Sequence, residues 1–318
     1  MRRILVAIAS IATILLAGGG YVAWAIRGDD RLAEPAAAAP RQPLLVFLDG
    51  GRTLAEVPLS RPDATPVRRG PSCLRSHTSG GTTICLRPVA IPAGFEAVIL
   101  RGGEPAAGPI HVDGTPSRAR VSPSGRLAAW TVFRTGDSYD PGAFATTTGI
   151  YDTVTGAHHG SLEDFSVVVN GRPYTREDRN FWGVTFADDE AFYVTMSSAG
   201  RIWLMRGRLS SRVLTAIRSG VECPSLSPDG TRLAFKKRAG DRWRLHVLDL
   251  ASGKEIPLAE RAGIDDQAAW LDNGTVAYAR PVRGERPSLF AVPADGSGAP
   301  RLLRADATSP APVSPTPR

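Results

Sequence analysis

The tetrapeptide Ser227-Pro228-Asp229-Gly230, set inside PSLSPDGTRLAF (224–235), constrains this chain more than any other feature. Proline presets φ at an early turn position, aspartate bonds the backbone ahead of it, and glycine accepts positive φ, so the sequence is a hairpin corner. It returns in degraded form at Ser122-Pro123-Ser124-Gly125 before RLAAW, and at Leu271-Asp272-Asn273-Gly274 before TVAY. Each copy joins a short extended run to an alternating apolar strand. A hairpin corner that recurs along a chain implies a repeat architecture.

A second signal recurs in better register: a strand, a small polar turn, and another strand. Its copies are VFLDGGRTLAEV (46–57), VILRGGEPAAGPI (98–110), IYDTVTGAHHGSL (150–162), WLMRGRLSSRVL (203–214), HVLDLASGKEIPL (246–258) and FAVPADGSGAPRLL (290–303). Spacings of roughly 40 to 55 residues fit a propeller blade of four short strands, and six copies predict six blades. In the best-preserved unit the sequence predicts strands at 221–226, 231–237, 243–250 and 253–258, inner to outer. Period-2 alternation in RWRLHVLDL supports the third of these. Trp130, Tyr193, Phe235 and Tyr278 fall at matching places on second strands, where packing between blades is the expected role.

SPDGTRLAF and VLDLASGKEIPL resemble the repeat of TolB-like six-bladed β-propellers, also called WD40-like or PD40 repeats. The resemblance is specific over 221–303, recognisable over 117–215 and weak before 116. NFWGVTFADD (180–189) and VPADGSGAPRLL (292–303) further resemble secreted or membrane-tethered TolB-like proteins of actinobacteria. The expectation is an all-β chain: a six-bladed β-propeller of four-stranded antiparallel blades over 44–315, preceded by an N-terminal hydrophobic helix, with 316–318 as a tail. Residues 44–58 supply only two strands of the first blade. The segment SPAPVSP (309–315) resembles an inner strand and is expected to close the ring against them, removing the open sheet edges.

Residues 1–27 read as a signal peptide or a transmembrane anchor. Arg2 and Arg3 precede 23 uncharged residues, Ile4 to Ile26, interrupted by Gly18-Gly19-Gly20; Ala23-Trp24-Ala25 fits a cleavage site. Both readings put the body outside the cell membrane, as a single-pass protein or as a secreted one. No cysteine lies near the segment's end for lipid modification, and residues 28–43 form an Ala/Pro-rich tether. Cys73, Cys85 and Cys223 would then lie in an oxidising space. Cys73 and Cys85 flank SHTSGGTT, read as the first turn of blade two, and are expected to form a disulfide; Cys223 is expected to be a small buried side chain. His77 between the paired cysteines has no second Cys/His cluster at ligand spacing, so no metal is expected.

The chain carries 38 basic and 31 acidic side chains, and without Arg2 and Arg3 the excess falls from +7 to +5. There is no polybasic run and no basic–aromatic ladder, so nucleic acid is not expected as a partner. No Gly-x-Ser-x-Gly elbow and no phosphate-cradling glycine loop is present, and neither a catalytic group nor a cofactor is expected. Four residues are candidate binding groups. Asp265 and Asp266 precede the inner strand DDQAAWL, where loops open onto one end of the ring; Asn180 and Trp182 lie beside Phe181 at the end of the long insert 163–183. On a loop end, Asp265→Asn is expected to leave stability nearly unchanged. The expected function is a monomeric, non-catalytic interaction module for envelope proteins. The alternative is an envelope carbohydrate binder or a sugar hydrolase or lyase, whose paired carboxylates would have to converge on one cavity.

Overall fold

The computed structural model describes residues 42–134 and 145–314. The hydrophobic segment 1–27, most of the tether, most of the insert at 135–146 and the tail fall outside the described residues. What is described is an all-β ring of six sheets, with a single 3-10 turn at Leu162–Asp164 as the one helical element among those residues. No helix among them is long and apolar enough to cross a membrane.

The blades follow the chain in order. Blade five has the predicted inner-to-outer succession: Glu222–Leu226, Arg232–Ala239, Arg242–Asp249 and Glu255–Pro257, each antiparallel to the next. The inner strands of blades two, three, four and six are Arg75–Ser79, Thr115–Val121, Asn180–Phe186 and Ala269–Asp272. Blade one is closed from the other end of the chain. Ala307–Val313 supplies its inner strand and pairs antiparallel with Leu44–Asp49. Closure of this kind leaves each blade only a short inner edge, protected at the axis.

Two elements differ from the sequence expectation. Blade one contains a further outer strand, Val67–Ser72, paired with Thr53–Pro58. Its sequence, VRRGPS, is exposed at nearly every position, so no apolar alternation announces it. The copy at 46–57 is therefore the second and third strands of its blade, while the other five copies are third and fourth strands. The insert after blade three is not irregular throughout. Ser166–Val169 pairs parallel with Val213–Ser219 and antiparallel with Arg172–Pro173, extending blade four outward to six strands.

Six apolar clusters hold the ring, and each lies between two neighbouring blades. Trp130, Phe235 and Tyr278 contribute from second strands as expected, with Tyr193 packing at the margin of its cluster. Second strands such as Leu127–Arg134 are buried on both faces because blades press on them from both sides. The corner turns add polar stitches between blades. Asp189, in the first turn of blade four, accepts from the Ser122 and Ser124 hydroxyls of blade three, and Asn273 of blade six accepts from the Asp229 amide of blade five.

The SPDG corner has the predicted geometry. Gly230 sits at φ +72° and its amide donates to the Ser227 carbonyl. The Asp229 carboxylate accepts from the Thr231 amide and from the Ser227 and Thr231 hydroxyls. The Ser227 hydroxyl in turn accepts from the Arg232 amide, and Pro228 occupies the position of Pro123 in the degraded copy.

Candidate functional site

Inner strands of blades one, three, four and five each carry a register break against the second strand. A bulge of this kind leaves one residue unpaired and re-aims its neighbours. Ser309 and Cys223 occupy such positions at φ +54° and +48°, and Gly183 does so in blade four at φ +70°. In blade three the break falls at Ser117, and its freed carbonyl accepts from the Arg75 Nε at 2.8 Å and from the Arg118 guanidinium at 2.9 Å.

These bulges gather a charged cluster at the end of the axis where the inner strands enter the ring. Arg75 and His77 come from blade two, Arg118 and Arg120 from blade three, Ser309 and Pro310 from blade one, and Asp266 and Gln267 from the approach to blade six. Together they line a cavity of about 30 Å³. That is room for a water or a small ion. It is far below the roughly 300–1,000 Å³ of a pocket that encloses a small-molecule substrate. His77 Nδ1 accepts from the Val121 amide at 3.1 Å, and burial beside Arg120 holds its pKa well below the usual imidazole value. It is therefore a neutral linker between inner strands. No group of three or more metal-ligating side chains occurs among the described residues.

Asp265 is the hub of the cluster's rim. Its carboxylate accepts from Lys236 Nζ at 2.5 Å and from the Arg118 guanidinium at 3.2 Å. Lys236 is only 3% exposed, whereas Asp265 is 62% exposed, so a surface carboxylate neutralises a buried ammonium. Burial alone would raise the Asp265 pKa; Lys236, Arg118 and Arg75 outweigh it and hold the carboxylate below its usual range. A glycosidase acid requires the opposite shift. The cation contacts also replace the expectation that Asp265→Asn is silent. Lys236 lies 4.6 Å from the Trp243 ring centroid, and the indole N–H of Trp243 donates to Glu222. Asp266 points inward: its carboxylate accepts from the Ala279 amide, and it lines the axial cavity.

The structure does not bring Asn180 and Trp182 to this cluster. The Asn180 side-chain carbonyl accepts from the Thr146 amide at 2.8 Å, tying blade four to blade three. Trp182 and its neighbour Phe181 are buried, and Phe181 belongs to the blade three–four core. Phe181 therefore serves packing between blades. Cys73 and Cys85 are joined, with Cα atoms 5.4 Å apart. Cys223 is free and fully buried, its amide held by Thr195 and its sulfur 3.4 Å from Arg118 Nε. The arginines were missed in the sequence. Their available signal was the spacing Arg75-x-His77 and Arg118-x-Arg120, which puts each pair on one face of an inner strand.

No family model matches the chain. A stretch of 84 residues is 34% identical to a TolB homologue of Chlorobium luteolum, covering 26% of this chain and 19% of that protein. Among solved structures, TolB from Acinetobacter baumannii superposes with a TM-score of 0.61 at 17% identity, over 85% of this chain and 66% of that one. A chain of a nidogen/laminin complex gives 0.57 at 12% identity, over 85% of this chain and 98% of the other. A Mycobacterium tuberculosis puromycin-hydrolyzing peptidase gives 0.50 at 18% identity, over 86% of this chain and 46% of the peptidase. This chain thus spans a fifth of the curated relative it matches and under half of the peptidase. The likeness extends to TolB proteins and to propeller peptidases alike. With its ring of six blades closed by the C-terminal strand, the chain has the six-bladed propeller fold of TolB, as SPDGTRLAF and VLDLASGKEIPL indicate.

Proposed function

We propose that the chain is a non-catalytic propeller held outside the cell membrane by its N-terminal segment, where it docks an envelope protein on the axial end. One observation carries this reading. The side chains at the axis leave only a cavity of about 30 Å³ and present a charged rim around Asp265, so this end offers a surface rather than a substrate cleft. A rigid ring with polar groups displayed from several blades suits recognition of another macromolecule. The propeller fold shared with a chain of the nidogen/laminin complex supports a protein partner. Lys236 and Arg118 hold the Asp265 carboxylate below its usual range, the opposite of what a glycosidase acid needs, which weighs against the sugar hydrolase or lyase reading.

The test is site-specific photo-crosslinking in the source cell, with the photoreactive residue at Asp265 or, as a control, at exposed Val154, in the outer turn of blade three at the opposite end of the ring. The expected result is one discrete protein adduct from position 265 and none from position 154. Equal adduct patterns at both positions would remove the axial end as the docking surface. Fractionation of the same cells tests the anchor: the intact chain is expected with membranes and resistant to high salt. A mature N-terminus at Ile26 in the medium would establish secretion instead.

A further inference from the structure

The axial cavity has more positive than negative charge among the groups that line it. Arg75, Arg118 and Arg120 face one carboxylate, Asp266, because His77 is neutral and Asp265 is occupied by Lys236 and Arg118 at the rim. Backbone carbonyls absorb part of the surplus. Ser117 receives Arg75 and Arg118, and Ala268 receives Arg120 at 3.2 Å. They carry no full charge, so the cationic excess remains.

Arg120 is the least satisfied of the three. It is 8% exposed, and its Nε is buried without a hydrogen-bond partner. A guanidinium presents five donors in a planar fork suited to oxyanions, and a buried charged donor left unpaired is costly. Burial pushes the Arg120 pKa down to about 10 despite the nearby Asp266 carboxylate and Cys223 sulfur, so the local field undercompensates its charge. The cavity beside it is lined largely by polar and charged side chains, and it has room for a small ion.

We infer that this cavity binds one small oxyanion, of the size and charge of inorganic phosphate or sulfate, between Arg75, Arg118 and Arg120. The anion neutralises the surplus, supplies acceptors to the Arg75 and Arg120 guanidiniums and links the inner strands of blades two and three. Charge-assisted bonds from arginine to an oxyanion are the strong class of hydrogen bond, and arginine matches that geometry better than lysine does. The anion site lies inside the axis, separate from protein docking on the rim, and its test needs no partner.

The full-length protein is titrated calorimetrically with sodium phosphate and separately with sodium sulfate, ionic strength being held constant with sodium chloride. Saturable one-site binding is expected for both anions, weakened at least tenfold in Arg120→Gln and in Arg75→Gln. In parallel, the ³¹P resonance of free phosphate should broaden with wild-type protein and sharpen when sulfate is added. This second measurement needs no variant and stands if either substitution prevents folding. Absence of saturable heat together with an unbroadened phosphate resonance overturns the inference. So does binding that both variants retain at wild-type affinity, since the anion would then sit elsewhere.

Discussion

Two copies of the repeat corner have the same internal geometry and different surroundings, which separates backbone strain from contact between blades. Gly125 and Gly230 have φ of +79° and +72°, and each donates its amide at 2.9 Å to the serine that opens its turn. The serine hydroxyls accept from Leu127 and Arg232 at 3.0 and 2.9 Å. A Cβ at Gly230 meets nothing within 4 Å, whereas one at Gly125 would lie 2.2 Å from the Gly80 carbonyl oxygen of blade two. Alanine at Gly230 therefore carries only the left-handed strain, about 1–2 kcal/mol. Alanine at Gly125 carries the same strain and must also push two backbones apart, which adds about 1–3 kcal/mol. At roughly 2–4 °C per kcal/mol for a domain of this size, Gly230→Ala is expected to lower Tm by a few degrees and Gly125→Ala by about twice as much. Gly230→Val, with its β-branch in the left-handed region, should cost about 1–3 kcal/mol. Differential scanning calorimetry of the three variants checks the order. If Gly125→Ala melts at or above Gly230→Ala, the blade two–three turn contact does not constrain the ring. If Gly230→Val melts like the parent, the SPDG corner is not the strand-joining turn.

Two further outcomes follow from the bridge and the rim. Non-reduced peptide mapping should recover Cys73 joined to Cys85 and alkylate only Cys223 after denaturation, while Cys73→Ser should destabilise by about 3 kcal/mol through loop-closure entropy. Two free thiols in native protein would contradict the first part. The Asp265 carboxylate has a folded pKa below its unfolded value near 3.8, so its stabilising effect is present above that value and is lost as pH falls through the lower one. Because Asp265 is mostly exposed, Asp265→Asn should cost about 1 kcal/mol at pH 7, not the larger loss of a fully buried pair. Melts from pH 7 to pH 2 should show the gap between parent and variant narrowing once the pH falls below 3.8. A gap that stays constant down to pH 2 would mean that the stabilisation does not come from the ionised carboxylate.

Much of the ring is legible locally because its repeating parts are local. The SPDG corner needs only four residues to specify its bonds, and the outer-strand turns recur at one period. Ring closure by 307–313 is readable because the chain's last strand has an inner-strand sequence and blade one lacks one. The outer strand Val67–Ser72 is different: it is exposed at nearly every position, so the burial that writes alternation into other strands is missing. The parallel pairing of Ser166–Val169 is likewise set by a contact with residues nearly 50 positions later, and its apolar run reveals a strand without revealing its neighbour.

The axial cluster shows why a site can be less legible than the fold that builds it. Arg118 and Asp265 are 147 residues apart, and Arg75 reaches the Ser117 carbonyl across 42. In an arginine-rich chain none of these side chains is conspicuous by type. Each becomes interpretable only when a residue is assigned to an inner strand, because alternation then divides that strand into a blade-packing face and an axial face. On the segment 115–121, Arg118 and Arg120 line the axial cavity, while Ala119 between them packs against the blade core and meets the cavity's edge. The carboxylates of DDQAAWL acquire meaning the same way. Asp265 looks like a loop carboxylate in sequence, and ring closure sets it against Lys236 and Arg118, where it becomes the countercharge of two cations from other blades.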